Sequence, residues 1–354
     1  MISSTPDNLN NLKQDLNTLI DKLPTLPQAK WIQRALEIIV KLSDQEIERL
    51  DWKILSATLF DMERAFTIFY PYRHTRKVTI FGSARISNHT PEYIMASEFA
   101  QLITKQGYMV MTGAGGGIMQ AGNEGAGSEK SFGLNISLPY EQYANSIVAN
   151  DPKLITFKYF FTRKLLMLKE SDAIAVFPGG FGTQDEAMEC LTLCQMGRYG
   201  PVPLILIDKP GGKYWQTWQD YIKKHLLDTG LINEEDLNLY TITDNLDVAL
   251  EKINRFYLVY HSIRYVKNKL IIRLKSELSD ECIVQLNDLF KDIITEGKIE
   301  KTSALPEEIG DESFELPRLM LNFNQRNLGR LYQLIEMINS LSCPLPAEIH
   351  PEIK

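Results

Sequence analysis

Residues 173–196 read AIAVFPGGFGTQDEAMECLTLCQM: a short apolar run, a glycine-rich turn, then apolar residues at three- and four-residue spacing. This is the pattern of a buried strand feeding through a tight turn into an amphipathic helix. The run VPLILID (202–208) supplies the next strand, and the same alternation extends outward in both directions. Upstream, KVTIFG (77–82) leads to the helical pattern PEYIMASEFAQLITKQG (91–107), and YMVMTG (108–113) runs through GAGGG into IMQAGNEGA (118–126). FGLNISLP (132–139) is a further strand and TRKLLMLKESD (162–172) a helix; WQTWQDYIKKHLLDTG (215–230) and LDVALEKINRFYLVY (246–260) add later helices. Strands and helices alternating at this interval predict an α/β fold, a Rossmann-like doubly wound parallel sheet with helices on both faces.

On either side the pattern changes. KQDLNTLIDKL (13–23), QAKWIQRALEIIVKL (28–42) and DWKILSATLFDMERAFTIFY (51–70) read as helix only, with Pro24 and Pro27 separating the first two. Ser43-Asp44-Gln45-Glu46 has a capping-box layout, placing the start of the third helix there or shortly after. Beyond His261, NKLIIRLK and PRLMLNFN read as strands, SDECIVQLNDLFKDII and NLGRLYQLIEMINSL as helices, and the polar stretch 297–315 has room for one more strand. The expected organisation is a helical prefix over 1–75, a Rossmann-like catalytic domain over 76–262, and a small α+β domain over 263–354, regulatory or oligomerising, near the lower size limit for independent folding.

Composition narrows the function. Of 354 residues, 44% are hydrophobic and 10% aromatic, as in globular proteins. Lys and Arg number 38 against 45 Asp and Glu, a net charge of −7 that argues against general nucleic-acid binding. No apolar run approaches the roughly 20 residues of a membrane span, and MISSTPDNLNNLK lacks the layout of a signal peptide, so a cytoplasmic location is expected. Four cysteines make no disulfide framework; Cys190 and Cys194, one helical turn apart with no nearby histidine, read as buried structural thiols, and no metal is expected.

Two glycine-rich turns each end a strand and open a helix: Gly113-Ala114-Gly115-Gly116-Gly117 and Pro178-Gly179-Gly180-Phe181-Gly182-Thr183. Helix N-termini offer free amides and a favourable dipole to an anion, and glycine lets the backbone approach it. Two such turns on one sheet can grip a phosphorylated ligand from both sides. Ile118 stands where a dinucleotide fingerprint needs its last glycine, the FGSAR turn (81–85) does not match it either, and no P-loop is present. A nicotinamide dehydrogenase and a P-loop NTPase are therefore disfavoured. Thr183-Gln184-Asp185-Glu186 is a capping box, so Glu186 reads either as a cap or as a carboxylate facing the phosphate pocket, with Glu189 on the same helix face. Arg163 and Lys164, after Thr162 as a candidate cap, put cations where the helix dipole opposes them, which points to an anionic partner. No nucleophile elbow or Cys–His arrangement is present.

These residues are familiar. PGGFGTQDE (178–186) resembles the P-G-G-x-G-T-x-x-E signature of the Lonely Guy (LOG) family of nucleoside 5′-monophosphate phosphoribohydrolases. TRKLLM (162–167) is similar to that family's Arg-Lys helix, GAGGGIMQAGNEGA (113–126) to its first glycine loop, and GLNISLPYEQ (133–142) to its longer bacterial members. The resemblance spans about residues 76–260 and implies hydrolysis of the N-glycosidic bond of a nucleoside 5′-monophosphate, purine-type first, to free base and ribose 5-phosphate. Carried over by motif, Glu186 is the essential carboxylate and Arg163 its functional partner. Gly115, Gly116, Gly117, Lys164, Gly179, Gly180, Gly182, Thr183 and Glu189 are expected around the substrate and its phosphate.

No cofactor is implied. The resemblance also implies a homodimer or higher even oligomer, and the C-terminal domain is a candidate for a nucleotide effector. Phe160-Phe161-Thr162 stand where cytokinin-type members carry Met-His-Glu, so a cytokinin preference does not carry over. The other readings are a nucleotide- or molybdenum-cofactor-binding protein of the same fold, or a scaffold with a vestigial site. A binder needs the glycines but not the Glu186–Arg163 pair.

Overall fold

The computed structural model describes residues 14, 15, 17–19, 22, 28–138 and 143–341. Most of the first expected helix, Cys343 and residues 139–142 of the GLNISLPYEQ stretch lie outside them. The chain divides into two compact units, residues 1–60 and 61–354. Helix α1 (Ala29–Ser43) belongs to the first, and α2 (Arg49–Phe69) begins in it. Ser43 does not open a helix: it closes α1, its hydroxyl donating to the Val40 carbonyl at 2.7 Å, and α2 starts shortly afterward at Arg49.

The second unit is organised by two sheets. Strands β1 (Lys77–Phe81), β2 (Met109–Thr112), β3 (Ser131–Ile136), β4 (Leu154–Phe157), β5 (Ala173–Val176), β6 (Leu204–Ile207) and β7 (Thr241–Thr243) form one parallel sheet in the order β4-β3-β2-β1-β5-β6-β7. Every pairing is parallel, with Val78 opposite Val110 on one side and Ala173 on the other. This is the doubly wound Rossmann-like architecture expected.

The period-two alternation of each strand separates two cores. Val78, Ile80, Val110, Ala173, Ala175 and Ile205 face one cluster, packed by α3 (Pro91–Lys105), α4 (Ile118–Ala126) and α8 (Leu246–Phe256). Phe81, Met111, Ile174, Val176, Leu204 and Leu206 face the other, packed by α2, α5 (Phe160–Lys169), α6 (Phe181–Gln195) and α7 (Tyr214–Ile222). Both faces of the strands are buried, which is why they read as continuous apolar runs. Strands β4 and β7 at the sheet edges are short, partly exposed and absent from the sequence reading.

The second sheet is antiparallel, in the order β10-β11-β9-β8, from β8 (Tyr260–Val266), β9 (Lys269–Leu274), β10 (Ile294–Thr302) and β11 (Arg318–Phe323). Strand β10 fills the place left for one more strand. Helices α9 (Asp280–Leu289) and α10 (Leu328–Leu341) pack with it. Its core is continuous with the Rossmann-like part: Cys194 of α6 and Phe256 of α8 join Leu270, Ile272, Leu321 and Leu331 in one cluster. Polar stitching follows the same seam. Asn339 of α10 accepts from the Val259 and Tyr260 amides at 2.8 and 3.0 Å and donates to the Phe256 carbonyl at 2.8 Å. The last part of the expected prefix and the expected C-terminal domain thus lie in the same compact unit as the parallel sheet. Among the described residues no helix is long and apolar enough to cross a membrane.

Candidate active site

The order in which strands are added to the sheet reverses between β1 and β5, and clefts beyond the carboxyl ends of strands at such a switch point are where open α/β sheets bind ligands. A cleft of about 800 Å³ lies there. Its walls are the β1 turn (82–85), the β5 turn and start of α6 (179–186), Gly113 and Met119 after β2, Ile136 at the end of β3 and Leu138 just after it, and Phe160 and Arg163 of α5.

Helix α6 begins at Phe181, with Gly180 at its cap position and no side-chain cap. The capping box read at Thr183–Glu186 is therefore not formed: the helix starts two residues before Thr183, and Glu186 sits within it. Its first intrahelical bond runs from the Gln184 amide to the Gly180 carbonyl at 3.0 Å, so the preceding amides have no partner inside the helix. A Cβ built on Gly180 or Gly182 would meet nothing within 4 Å. That open space lies over the helix N-terminus, where an anion is favoured. Gly179 differs, since a Cβ there would fall 2.1 Å from the Thr183 hydroxyl.

Freed from capping, Glu186 turns to α5. Arg163 Nη2 donates to its Oε1 at 3.0 Å, while Oε2 lies 3.9 Å from Lys164 Nζ. Glu186 is only 7% exposed. Burial pushes its pKa above the ordinary carboxyl value, and the nearby Arg163 and Lys164 charges offset part of that rise. Arg163 Nε is buried without a hydrogen-bond partner among the described residues, leaving a donor beside the cleft. Thr162 does not cap α5. Helix α5 starts at Phe160, and the Thr162 hydroxyl donates to Asp61 Oδ2 at 2.8 Å, pinning α5 to α2.

Three groups of expected site residues sit elsewhere. Lys164 does not line the cleft; its ammonium lies 2.6 Å from both Asp185 and Glu189. Burial lowers its pKa, but those carboxylate bonds outweigh burial and leave it raised. Glu189, bound there, does not line the cleft either: the Lys164 charge draws it to the α5 side of α6. Gly115, Gly116 and Gly117 do not line the cleft, whereas Gly113 and Met119 of the same segment do. The Asn145 side chain donates to the Ala114 and Gly115 carbonyls at 3.2 and 3.0 Å, folding this loop inward.

Gly117 has φ +59° and ψ −131°, and a Cβ there would stand 2.2 Å from the Ser83 carbonyl oxygen. The Ile118 amide donates to that oxygen at 3.1 Å. Gly117→Ala is expected to cost more than about 1–3 kcal/mol through strained backbone and this clash, read as a lowered midpoint in urea. Unchanged stability would show that the turn relaxes freely.

The β1 turn, set aside in the sequence because it fits no fingerprint, forms one wall of the cleft. The Ser83 amide donates to the Pro178 carbonyl at 3.2 Å, tying the β1 and β5 turns together. The only hint in the sequence was its place at the end of a central apolar strand.

The fold and the cleft define a parallel α/β protein with an anion-receptive helix start and a buried Arg–Glu pair at the sheet's switch point. Residues 111–253 match the family described as "Possible lysine decarboxylase". Through this segment the chain is similar to proteins of the Lonely Guy type. It is 27% identical over 160 residues to a cytokinin riboside 5′-monophosphate phosphoribohydrolase of Mycobacterium tuberculosis, covering 44% of this chain and 82% of that protein. A probable cytokinin riboside 5′-monophosphate phosphoribohydrolase of Oryza sativa is 24% identical over 182 residues, covering 50% and 76%. Among solved structures, the molybdenum cofactor binding protein of Rippkaea orientalis aligns over 51% of this chain and 96% of that one, with a TM-score of 0.38 and 16% identity.

The decarboxylase description would imply pyridoxal phosphate, and the residues present do not fit it. A Schiff-base lysine needs a depressed pKa and access to the site. Lys164, the lysine beside Glu186, has a raised pKa, is locked between carboxylates and lies off the cleft.

Proposed function

We propose that this chain hydrolyses the N-glycosidic bond of a nucleoside 5′-monophosphate, purine-type first, releasing free base and ribose 5-phosphate. The buried Arg163–Glu186 pair, set in a cleft that also holds an uncapped helix start, carries this reading. The phosphate sits on the free amides at the start of α6 with Gly179, Gly180, Gly182 and Thr183 around it. Breaking the C1′–N bond builds positive charge on the ribose, and the Glu186 carboxylate stabilises it in a site with little water. Water attacks C1′, the bonding pair leaves with the base, and the proton released from water passes to Glu186 Oε2 and then to the base. A raised pKa makes Glu186 the stronger base for that transfer. Arg163 fixes Oε1 and the carboxylate's orientation. Gly115, Gly116 and Gly117 shape the wall, and Lys164 with Glu189 braces α5 against α6.

We further propose a cytoplasmic homodimer. Phe181 at the cleft mouth is 96% exposed, and Phe161 and Leu165 on α5 are more than half exposed, an apolar surface fit for a second copy. Sedimentation at twice the chain mass is the expected result. For the activity, AMP, GMP, IMP, CMP and UMP are incubated with the protein and ribose 5-phosphate is measured. Release from at least one is expected. Tight binding without release from any would replace the hydrolase with the nucleotide-binding reading.

A further inference from the structure

The cleft has a charge left over. Its lining carries two acids, Asp185 and Glu186, and two cations, Arg85 and Arg163. Arg163 is committed to Glu186 at 3.0 Å, and Asp185 to Lys164 at 2.6 Å. The Arg85 side chain has no hydrogen bond or ion pair among the described residues and stands exposed at the cleft wall. A phosphate monoester brings a charge of about −1.5 to −2, and the turn amides that meet it are neutral. An unpaired guanidinium is the group suited to that remainder, since its planar fork matches phosphoryl oxygens in pairs.

Backbone geometry puts Arg85 in reach. The turn that carries it is held against the β5 turn by the bond from the Ser83 amide to the Pro178 carbonyl, and a Cβ on Gly179 would lie 3.0 Å from the Ser83 nitrogen. The Arg85 amide donates to the Ser83 hydroxyl at 3.1 Å, which tightens the turn at the residue itself. Resting on the hydrolase reading for the identity of the ligand, we propose that Arg85 is the specificity-determining cation of this site, closing over the 5′-phosphate opposite the start of α6 and selecting phosphate monoesters over free nucleosides.

The test compares wild type with Arg85→Gln and Arg85→Lys. Ribose 5-phosphate binding is measured by calorimetry, and hydrolysis is followed for a nucleoside monophosphate and its unphosphorylated nucleoside. Arg85→Gln is expected to weaken ribose 5-phosphate binding and raise KM for the monophosphate by about tenfold or more, consistent with losing a charged hydrogen bond. Its kcat should stay within about threefold, and its rate on the nucleoside should match wild type. Arg85→Lys, keeping charge but losing the fork, should fall between. Unchanged ribose 5-phosphate affinity in Arg85→Gln, or equal losses on both substrates, overturns the proposal. Binding that depends on Arg85 in a protein that hydrolyses none of the monophosphates would overturn the hydrolase reading and leave Arg85 standing. The side chain is exposed, so both variants should fold, and an unchanged melting temperature checks it.

Discussion

Glu186→Gln is expected to lower kcat by about 10³-fold while leaving the protein folded. Glutamine keeps the shape and an amide oxygen to accept from Arg163, so α5 and α6 stay joined. What disappears is the negative charge under the forming ribose cation and the base for the water proton. Because burial raises the Glu186 pKa, the wild-type acid limb in kcat should lie above the ordinary carboxyl value of 4.5. Activity falls as pH drops through it, because protonation removes the working carboxylate.

Stability has the opposite sign. A raised carboxyl favours the folded state while protonated, so its contribution is full below 4.5 and lost as pH rises through the shifted value. The neutral variant escapes that loss, so at pH 8 it should melt no lower than wild type. Full activity in the variant, or an acid limb that survives the substitution, would remove Glu186 from the chemistry.

The parallel sheet was legible because its five inner strands are buried on both faces and announce themselves as apolar runs between turns. Strands β4 and β7 were not, since LITF and TIT are edge strands, partly exposed, that do not rise above their polar surroundings. Glu186 and Arg163 were legible through motif spacing. Their union was not, because it depends on where α6 begins. Phe181 and Gly182 carry no helix-start signal, whereas Thr183 carries a cap signal that the helix does not use. Starting the helix at Phe181 instead takes Glu186 out of the first turn and leaves it free to meet Arg163. Arg85 was missed for a topological reason: its turn matters only because β1 and β5 are neighbours, and no local pattern states which strands pair. Lys164 and Glu189 stand off the cleft, paired with each other, since closeness in sequence to a site residue does not decide which side of a helix faces the cleft.

The second large effect lies far from the cleft. Glu308 is fully buried, accepting from Arg273 at 2.6 and 3.0 Å and from Arg318 at 3.1 Å, while the Leu305 amide donates to it at 3.1 Å. Burial alone would raise its pKa, but the hydrogen bonds and the two guanidinium charges outweigh burial and hold it below the usual carboxyl value. Glu308→Ala strands Arg318, 2% exposed, with backbone carbonyls but no counter-charge, whereas Arg273 keeps Asp311 at 2.7 Å. Breaking a buried pair in this way costs about 3–5 kcal/mol, a fall in melting temperature on the order of 10 °C. Glu307→Gln, removing only an exposed pair with Lys267, should leave the melting temperature close to that of wild type. The depressed pKa sets the pH sign: Glu308 stabilises fully above 4.5, and that contribution is lost as pH falls through its lower folded value, so the wild-type advantage over Glu308→Ala should shrink toward low pH.

The shape of the transition carries the larger argument. The antiparallel sheet shares one apolar cluster with α6 and α8, and α6 carries Glu186. A defect at Glu308 should therefore lower a single cooperative transition and inactivate the cleft at the same temperature at which the second sheet unfolds. Two separated transitions, with activity surviving the first, would show instead that residues 263–354 fold on their own and that the seam through Asn339 and Cys194 transmits no stability to the site.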